Sequence, residues 1–260
     1  MTLILGATSS GRRLRSRTKA VTLIPFFSAC SMQQSPVCPV APKITTFSIT
    51  LVMFGLKTWL PHYYSITHDE FKTPFISSKV TALVRDLSRL PDEVAPKINV
   101  INGNSTIKED VAKALEGQDA VIVTLGTRND LNFTTVMSDS LKLILDLMCE
   151  TGIKAISACM SSFLFMDPER VPPRFAEINA DHKRMLETLQ SPKYESLDWI
   201  AVLPPHIADE PSSNNQFKVN HGSSPGRQVP KSDLGQFMVE CLSQPEHYHQ
   251  LCGLAYPTLQ

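Results

Sequence analysis

The chain has 260 residues, a length that suits a single α/β domain. Its 25 Lys and Arg balance 25 Asp and Glu, which argues against a strongly basic nucleic-acid binder and an acidic tail, while 42% hydrophobic residues exclude wholesale disorder. The neutrality is a sum of unlike parts: residues 1–68 hold seven Lys/Arg and no acidic residue, leaving 69–260 with 25 acidic against 18 basic residues.

In chain order, Thr2–Leu5 followed by Gly6-Ala7-Thr8-Ser9-Ser10-Gly11 looks like a first strand and a phosphate loop. Such a loop needs glycines so that the backbone turns sharply and its N–H groups approach pyrophosphate; here only Gly6 and Gly11 remain, with a serine in the middle. Residues 12–78 break the rhythm. They show no clear amphipathic period, contain Pro25 and later prolines that forbid a long helix, and carry an apolar patch at Ile44–Leu56. This segment is expected to be an irregular insertion between the first strand (1–11) and the remainder of the domain (79–260). Its uncharged run is shorter than the ~18–20 residues that span a bilayer, so no stable membrane insertion is expected.

From Lys79 onward strands and helices alternate. Lys79–Val84 and Lys97–Ile101 are short apolar runs, and a helix opens at Ser105 or Thr106, where Thr106 and Glu109 have capping-box spacing and Gly117 suits the far end. Asp119–Leu125 is a near-continuous apolar strand of the kind covered on both faces. A long helix runs from about Thr134 to Glu150, with Gly152 just past it, and Lys154–Ala158 is the next strand. A further helix follows Pro172-Pro173 and ends near Gln190. Trp199–Leu203 is a strand stopped by Pro204-Pro205, and Lys231–Cys241 is a final amphipathic helix. Alternation of this kind predicts βαβ units and a doubly wound parallel sheet. Ligands of such sheets bind at the carboxyl ends of the strands, which puts Arg85, Asn104, Gly126–Asn129, Ser161 and His206 on one rim.

The six cysteines include no CxxC and no Cys/His knuckle, so no metal site and no disulfide framework are expected. Thiols without disulfide spacing favour a reducing compartment. The amino terminus offers a competing reading as a targeting segment, because Arg12, Arg13, Arg15, Arg17 and Lys19 precede the apolar Ala20–Phe27.

Seven ordered blocks carry a resemblance: LVRDLSRLP (83–91), GQDAVIVTLGTRNDL (117–131), TTVMS (134–138), FLFMDPERVPPR (163–174), DHKRM (181–185), PPHIAD (204–209) and SDLGQFM (232–238). They resemble the biliverdin-IXβ reductase and flavin reductase family of atypical short-chain dehydrogenases/reductases. The resemblance implies a Rossmann fold, NADPH as cofactor, and hydride transfer to flavins (FMN, riboflavin) or linear tetrapyrroles. It also implies a cytoplasmic monomer acting on small molecules in haem catabolism, with no nucleic-acid partner.

Position by position, Gly6, Ala7, Thr8 and Gly11 would form the phosphate loop, one residue shorter than the family's. Arg85 matches the residue that meets the 2′-phosphate, and its planar fork suits a phosphate dianion. Asn104 stands where relatives carry an Asp near the adenine. Gly126, Thr127 and Arg128 match the loop beside the cofactor. Ser161 and His206 match two polar residues over the nicotinamide and the substrate. Phe163 to Met166 would form an apolar shelf for a planar substrate, with Leu164 in the core and Met166 where relatives often carry Trp. The Tyr-x-x-x-Lys of most short-chain dehydrogenases is missing: Asp181-His182-Lys183 stands nearby without the tyrosine. Two other readings remain at this stage: a non-catalytic dinucleotide-sensing protein, and a chain whose interrupted phosphate loop impairs cofactor binding.

Overall fold

In the computed structural model, the described residues are 47–53 and 78–256, apart from 93, 128–129 and 214–215. All belong to one unit within 43–260. Ten strands and four α-helices follow in chain order: β1 (Phe47–Met53), β2 (Ser78–Val84), β3 (Asn99–Asn102), α1 (Lys108–Leu115), β4 (Ala120–Thr124), α2 (Val136–Thr151), β5 (Ala155–Cys159), α3 (Ala176–Leu189), β6 (Asp198–Leu203), β7 (His206–Ala208), β8 (Lys218–His221), β9 (Gln228–Pro230), α4 (Lys231–Glu240) and β10 (Gln250–Ala255). Eight strands form the main sheet in the order β3-β2-β1-β4-β5-β6-β10-β8, parallel except for the antiparallel β10–β8 pair. The short β7 and β9 pair separately. This is the doubly wound α/β architecture expected from the alternation, with its order reversing between β1 and β4.

The central strand is where the structure departs from the sequence reading. The slot between β2 and β4 is filled by Phe47–Met53, in register from Phe47↔Ser78 to Met53↔Val84 on one side and from Ile49↔Ala120 to Met53↔Thr124 on the other. It comes from 12–78, the segment expected to be irregular. The physical reason is that a strand hydrogen-bonded on both edges of a parallel sheet needs no alternation, so FSITLVM reads as a featureless apolar patch. Thr2–Leu5, expected in this slot, lies outside the described residues.

Period-2 geometry divides the rest of the core. Along β4, Val121 and Val123 join one apolar cluster while Ala120 and Ile122 join the other; along β6, Trp199, Ala201 and Leu203 alternate likewise with Ile200 and Val202. The first cluster is roofed by α1, α2 and α3, and the second by α4 together with Leu90 and Val94. In α2, Leu141, Ile144, Leu145 and Met148 are fully buried at helical spacing. The helix ends as expected at Gly152, whose φ of +79° is a left-handed cap and whose N–H donates to Met148 O at 2.9 Å. The expected Thr106/Glu109 box does not form: α1 starts at Lys108 with no side-chain cap from Ile107. Asn104 takes the job one turn earlier, accepting from Thr106 N–H at 3.2 Å.

Two buried aspartates fix the remaining loops. Asp181, on α3 and fully buried, accepts from Ser138 Oγ at 2.5 Å and from Met137 N–H at 3.1 Å, and so caps the start of α2 from a neighbouring helix. Arg184 pairs with it at 3.1 Å and donates to Thr134 O at 2.5 Å. Asp233, in the first turn of α4, accepts from Ser212 Oγ at 2.6 Å and from Ser213 N–H at 3.1 Å. Beside Asp181, His182 is half-buried, and its buried Nδ1 has no hydrogen-bond partner among the described residues. Burial, against an upward pull from the Asp181 charge, lowers its pKa to about 4.

Two outcomes follow for stability. Replacing Asp181 by Ala removes the acceptor for a helix N-terminus and strands Arg184; denaturant unfolding should show a loss of about 3 kcal/mol, with Asp181→Asn losing less. His182, with its pKa lowered in the fold, binds fewer protons there than in the unfolded chain between pH 6.5 and 4. Stability therefore falls as pH drops through that window, and thermal melts of His182→Gln should show a shallower fall.

Candidate functional site

The carboxyl ends of β1 and β4 stop level with each other, Met53 against Thr124, at the place where the strand order reverses. Ligands of open α/β sheets bind in the crevice this creates. The rim is built from the segments that leave each neighbouring strand.

After β4 come buried Leu125, then Gly126 and Thr127. A Cβ placed on Gly126 would meet nothing within 4 Å, so no atom of the described residues crowds this position. Thr127 and Asp130 close a tight turn in both directions: Thr127 Oγ donates to Asp130 O at 2.5 Å, and Asp130 N–H donates to Thr127 O at 3.3 Å. Asp130 in turn accepts from the backbone and side chain of Asn132. The loop holds itself, and the Asp181 and Arg184 contacts hold its far end. Arg128 lies outside the described residues, as do Gly6, Ala7, Thr8 and Gly11.

On the other side of the reversal, Arg85 is exposed at the end of β2. The turn after β3 is tied down: Gly103 N–H donates to Val84 O at 2.9 Å, and Asn104 N–H donates to Asp110 Oδ2 at 2.7 Å. Glycine is required here, because a Cβ at position 103 would lie 2.7 Å from Asp110 Cγ. Asn104 is half-buried with one lone pair of its side-chain oxygen given to Thr106, so its primary job in the fold is local.

The ends of β5 and β6 are joined by Met160 N–H to Val202 O at 2.8 Å and Ser162 N–H to Pro204 O at 3.0 Å. This places Ser161 and His206 on adjacent strand ends. Ser161 is half-buried and its Oγ accepts from Phe163 N–H at 3.2 Å, capping the turn Ser162–Phe165. His206 begins β7, with its backbone N–H on Arg227 O at 3.2 Å and its side chain exposed. Within 163–166 the apolar residues divide: Leu164, as expected, and Phe165 pack against the core, whereas Met166 is exposed and Phe163 faces the Phe175 ring at 5.2 Å.

Phe175 escaped the sequence reading, although it lies four and seven residues before Asn179 and His182 on the α3 stripe. Asn179 Oδ1, like His182 Nδ1, is buried without a partner among the described residues. The periodicity was visible, but a polar residue on a core-facing helix carries no mark in sequence that its acceptor goes unpaired.

Chemically, the rim offers a cation at the end of β2, an uncrowded glycine at the sheet's reversal, a hydroxyl past the end of β5, an imidazole at the start of β7 and paired aromatic rings. No nucleophile–base pair is seen among the described residues of the rim, and no helix among the described residues is long and apolar enough to cross a membrane.

Comparison with known proteins agrees with this architecture. An "Anaerobillin Reductase" named ChuY from Escherichia coli O157:H7 superposes with a TM-score of 0.65 at 16% identity, covering 82% of this chain and 98% of that one. A putative NAD-dependent epimerase/dehydratase from Bacillus halodurans gives 0.64 at 18% identity, covering 81% and 94%. A short-chain dehydrogenase/reductase from Veillonella parvula, solved in complex with NADP, gives 0.60 at 12% identity, covering 82% and 96%. At these identities the likeness establishes the fold. A family profile described as NAD(P)H-binding matches residues 76–245, from the start of the second strand to beyond the last helix. The chain belongs to this NAD(P)H-binding family of Rossmann-fold proteins.

Proposed function

We propose that the chain is an NADPH-dependent reductase of flavins (FMN, riboflavin) and linear tetrapyrroles such as biliverdin-IXβ. The observation that carries the reading is the neighbourhood of Ser161 with the tilted Phe163–Phe175 ring pair and exposed Met166, an apolar surface with a hydroxyl beside it. Large planar acceptors fit such a surface, and a single donor suffices to orient them.

NADPH would supply the hydride, and the chain would supply position. Gly126 and Thr127 would lie against the cofactor at the reversal of strand order. Arg85 would receive the 2′-phosphate, which favours NADPH over NADH. Ser161 would donate to a carbonyl of the acceptor and His206 would orient it from the neighbouring strand end. An acceptor that takes hydride into an electron-poor ring can be protonated from water afterwards, which suits a site without a tyrosine–lysine pair. The resemblance further supports a cytoplasmic monomer serving haem breakdown.

The reading with impaired cofactor binding has one observation of its own. The strand in the first slot, β1, is followed in sequence by Phe54-Gly55-Leu56-Lys57, and Gly55 is the sole glycine between 54 and 77. The glycines at 6 and 11 precede that strand instead of following it, so the strand-to-loop order a phosphate cradle needs is not met by them.

Two measurements test these readings. The purified full-length chain should oxidise NADPH in the presence of FMN above the free-flavin background, and Ser161→Ala should lower kcat by roughly 10- to 100-fold with little change in NADPH affinity. Saturable NADPH binding without turnover would mark a sensor, and no binding would mark the impaired chain. Arg85→Ala should raise KM for NADPH by about tenfold and leave that for NADH nearly unchanged; an equal effect on both cofactors would remove Arg85 from the 2′-phosphate site.

A further inference from the structure

At the far edge of the main sheet, away from the strand-order reversal, three side chains with metal-binding atoms converge. The antiparallel β10–β8 pair sets Cys252 directly opposite His221, which puts both side chains on one face. His247, from the turn Pro245–His247 that precedes β10, closes the group. Its Nδ1 lies 2.9 Å from His221 Nε2 and 3.8 Å from Cys252 Sγ, and the three ligand atoms all lie within 4.8 Å of one another. Among the described residues this is the one such group of three or more.

We propose that His221, His247 and Cys252 bind a single borderline-soft divalent cation of the zinc type. A tetrahedral ion with nitrogen ligands at about 2.0–2.1 Å and a thiolate at about 2.3 Å holds its donor atoms roughly 3.3–3.6 Å apart. The observed separations, 2.9 Å, 3.8 Å and at most 4.8 Å, bracket that range, so to admit the ion the two rings part by a few tenths of an ångström and the His221–Cys252 distance closes by up to about an ångström. Two imidazoles and one thiolate select zinc, cobalt or copper over magnesium and calcium, which demand oxygen donors.

The surroundings hold the ligands in place from one side and leave them open on the other. Cys252 is buried at the floor, His247 is half-buried with its ring edge-on to Phe237 of α4 at 5.2 Å, and His221 is exposed. An ion can therefore enter past His221, and the fourth position faces solvent and takes a water. On binding, the Cys252 thiol releases its proton to solvent as the sulfur–metal bond forms, and the imidazoles bind through neutral nitrogens. Sequence spacing gives no sign of the site. The two histidines are 26 residues apart and come together through strand pairing.

The test uses the full-length chain, stripped with a chelator and titrated with Co2+ as a spectroscopic stand-in for Zn2+. The expected result is one Co2+ per chain with a near-ultraviolet thiolate-to-cobalt band and the strong visible bands of four-coordinate cobalt. Because His221 is exposed, His221→Ala keeps the fold and should weaken binding by at least roughly 100-fold. Cys252→Ser should abolish the thiolate band, while Cys149→Ser, at an exposed cysteine elsewhere, should leave it intact. Zn2+ should raise Tm of the native chain and not of His221→Ala. Absence of the thiolate band in the native chain, or its persistence in His221→Ala, overturns the proposal. The outcome is independent of NADPH turnover.

Discussion

Every other feature of this fold rests on the double hydrogen-bonding of β1. A parallel sheet has no tolerance for an unpaired edge at its middle, since the N–H and C=O groups of β2 and β4 there would be shut away from water without partners. Phe47–Met53 satisfies both edges at once, and its register brings the ends of β1, β2 and β4 to a common level. That level edge is what turns a change of strand order into a crevice. The loops that furnish the rim are then secured individually, by a buried aspartate for the start of α2, by strand-end bonds between β5 and β6, and by Asp110 for the turn after β3.

The division of labour between anchored and exposed side chains is plain in 161–166. Ser161 Oγ accepts a bond from its own turn; Leu164 and Phe165 anchor the turn in the core so that Phe163 can stay half-buried and Met166 exposed. The anchoring half and the presenting half alternate within four residues. A turn of this kind can offer apolar area to a flat ligand without itself collapsing onto the core.

Much of this was legible in the sequence wherever the determining contacts are local or period-driven. β4, α2, β5, β6 and α4 lie within one or two residues of their expected positions, because apolar runs, the Gly152 cap and Pro204-Pro205 are local signals. The rim positions of Arg85, Asn104, Gly126, Ser161 and His206 followed from strand ends alone. What was hidden depends on distant partners. FSITLVM becomes a strand because Thr81 and Ala120, some 31 and 71 residues from their partners in β1, wait on either side, while the glycines at 6 and 11 draw the expectation to a stretch outside the described residues. β8 is four residues long and largely exposed, so nothing in its pattern announces a strand. Asn104 was expected at a ligand, and its hydrogen bond to Thr106 shows how a turn residue and a binding residue share one chemistry.

The distances along the chain to the partners of β1 also order events in time. The units β4–α2–β5 and β5–α3–β6 close loops of modest length and can build the first apolar cluster among themselves. Pairing β1 with β2 closes a loop of similar length, but joining that pair to β4 closes a far longer one, from Ile49 to Ala120, and such non-local pairings are slow. The half of the sheet bearing Ser161 and His206 would thus be assembled while β4 still presents an open edge to β1. During that interval the nascent sheet is a template for any extended apolar segment, including one from a second copy of the chain.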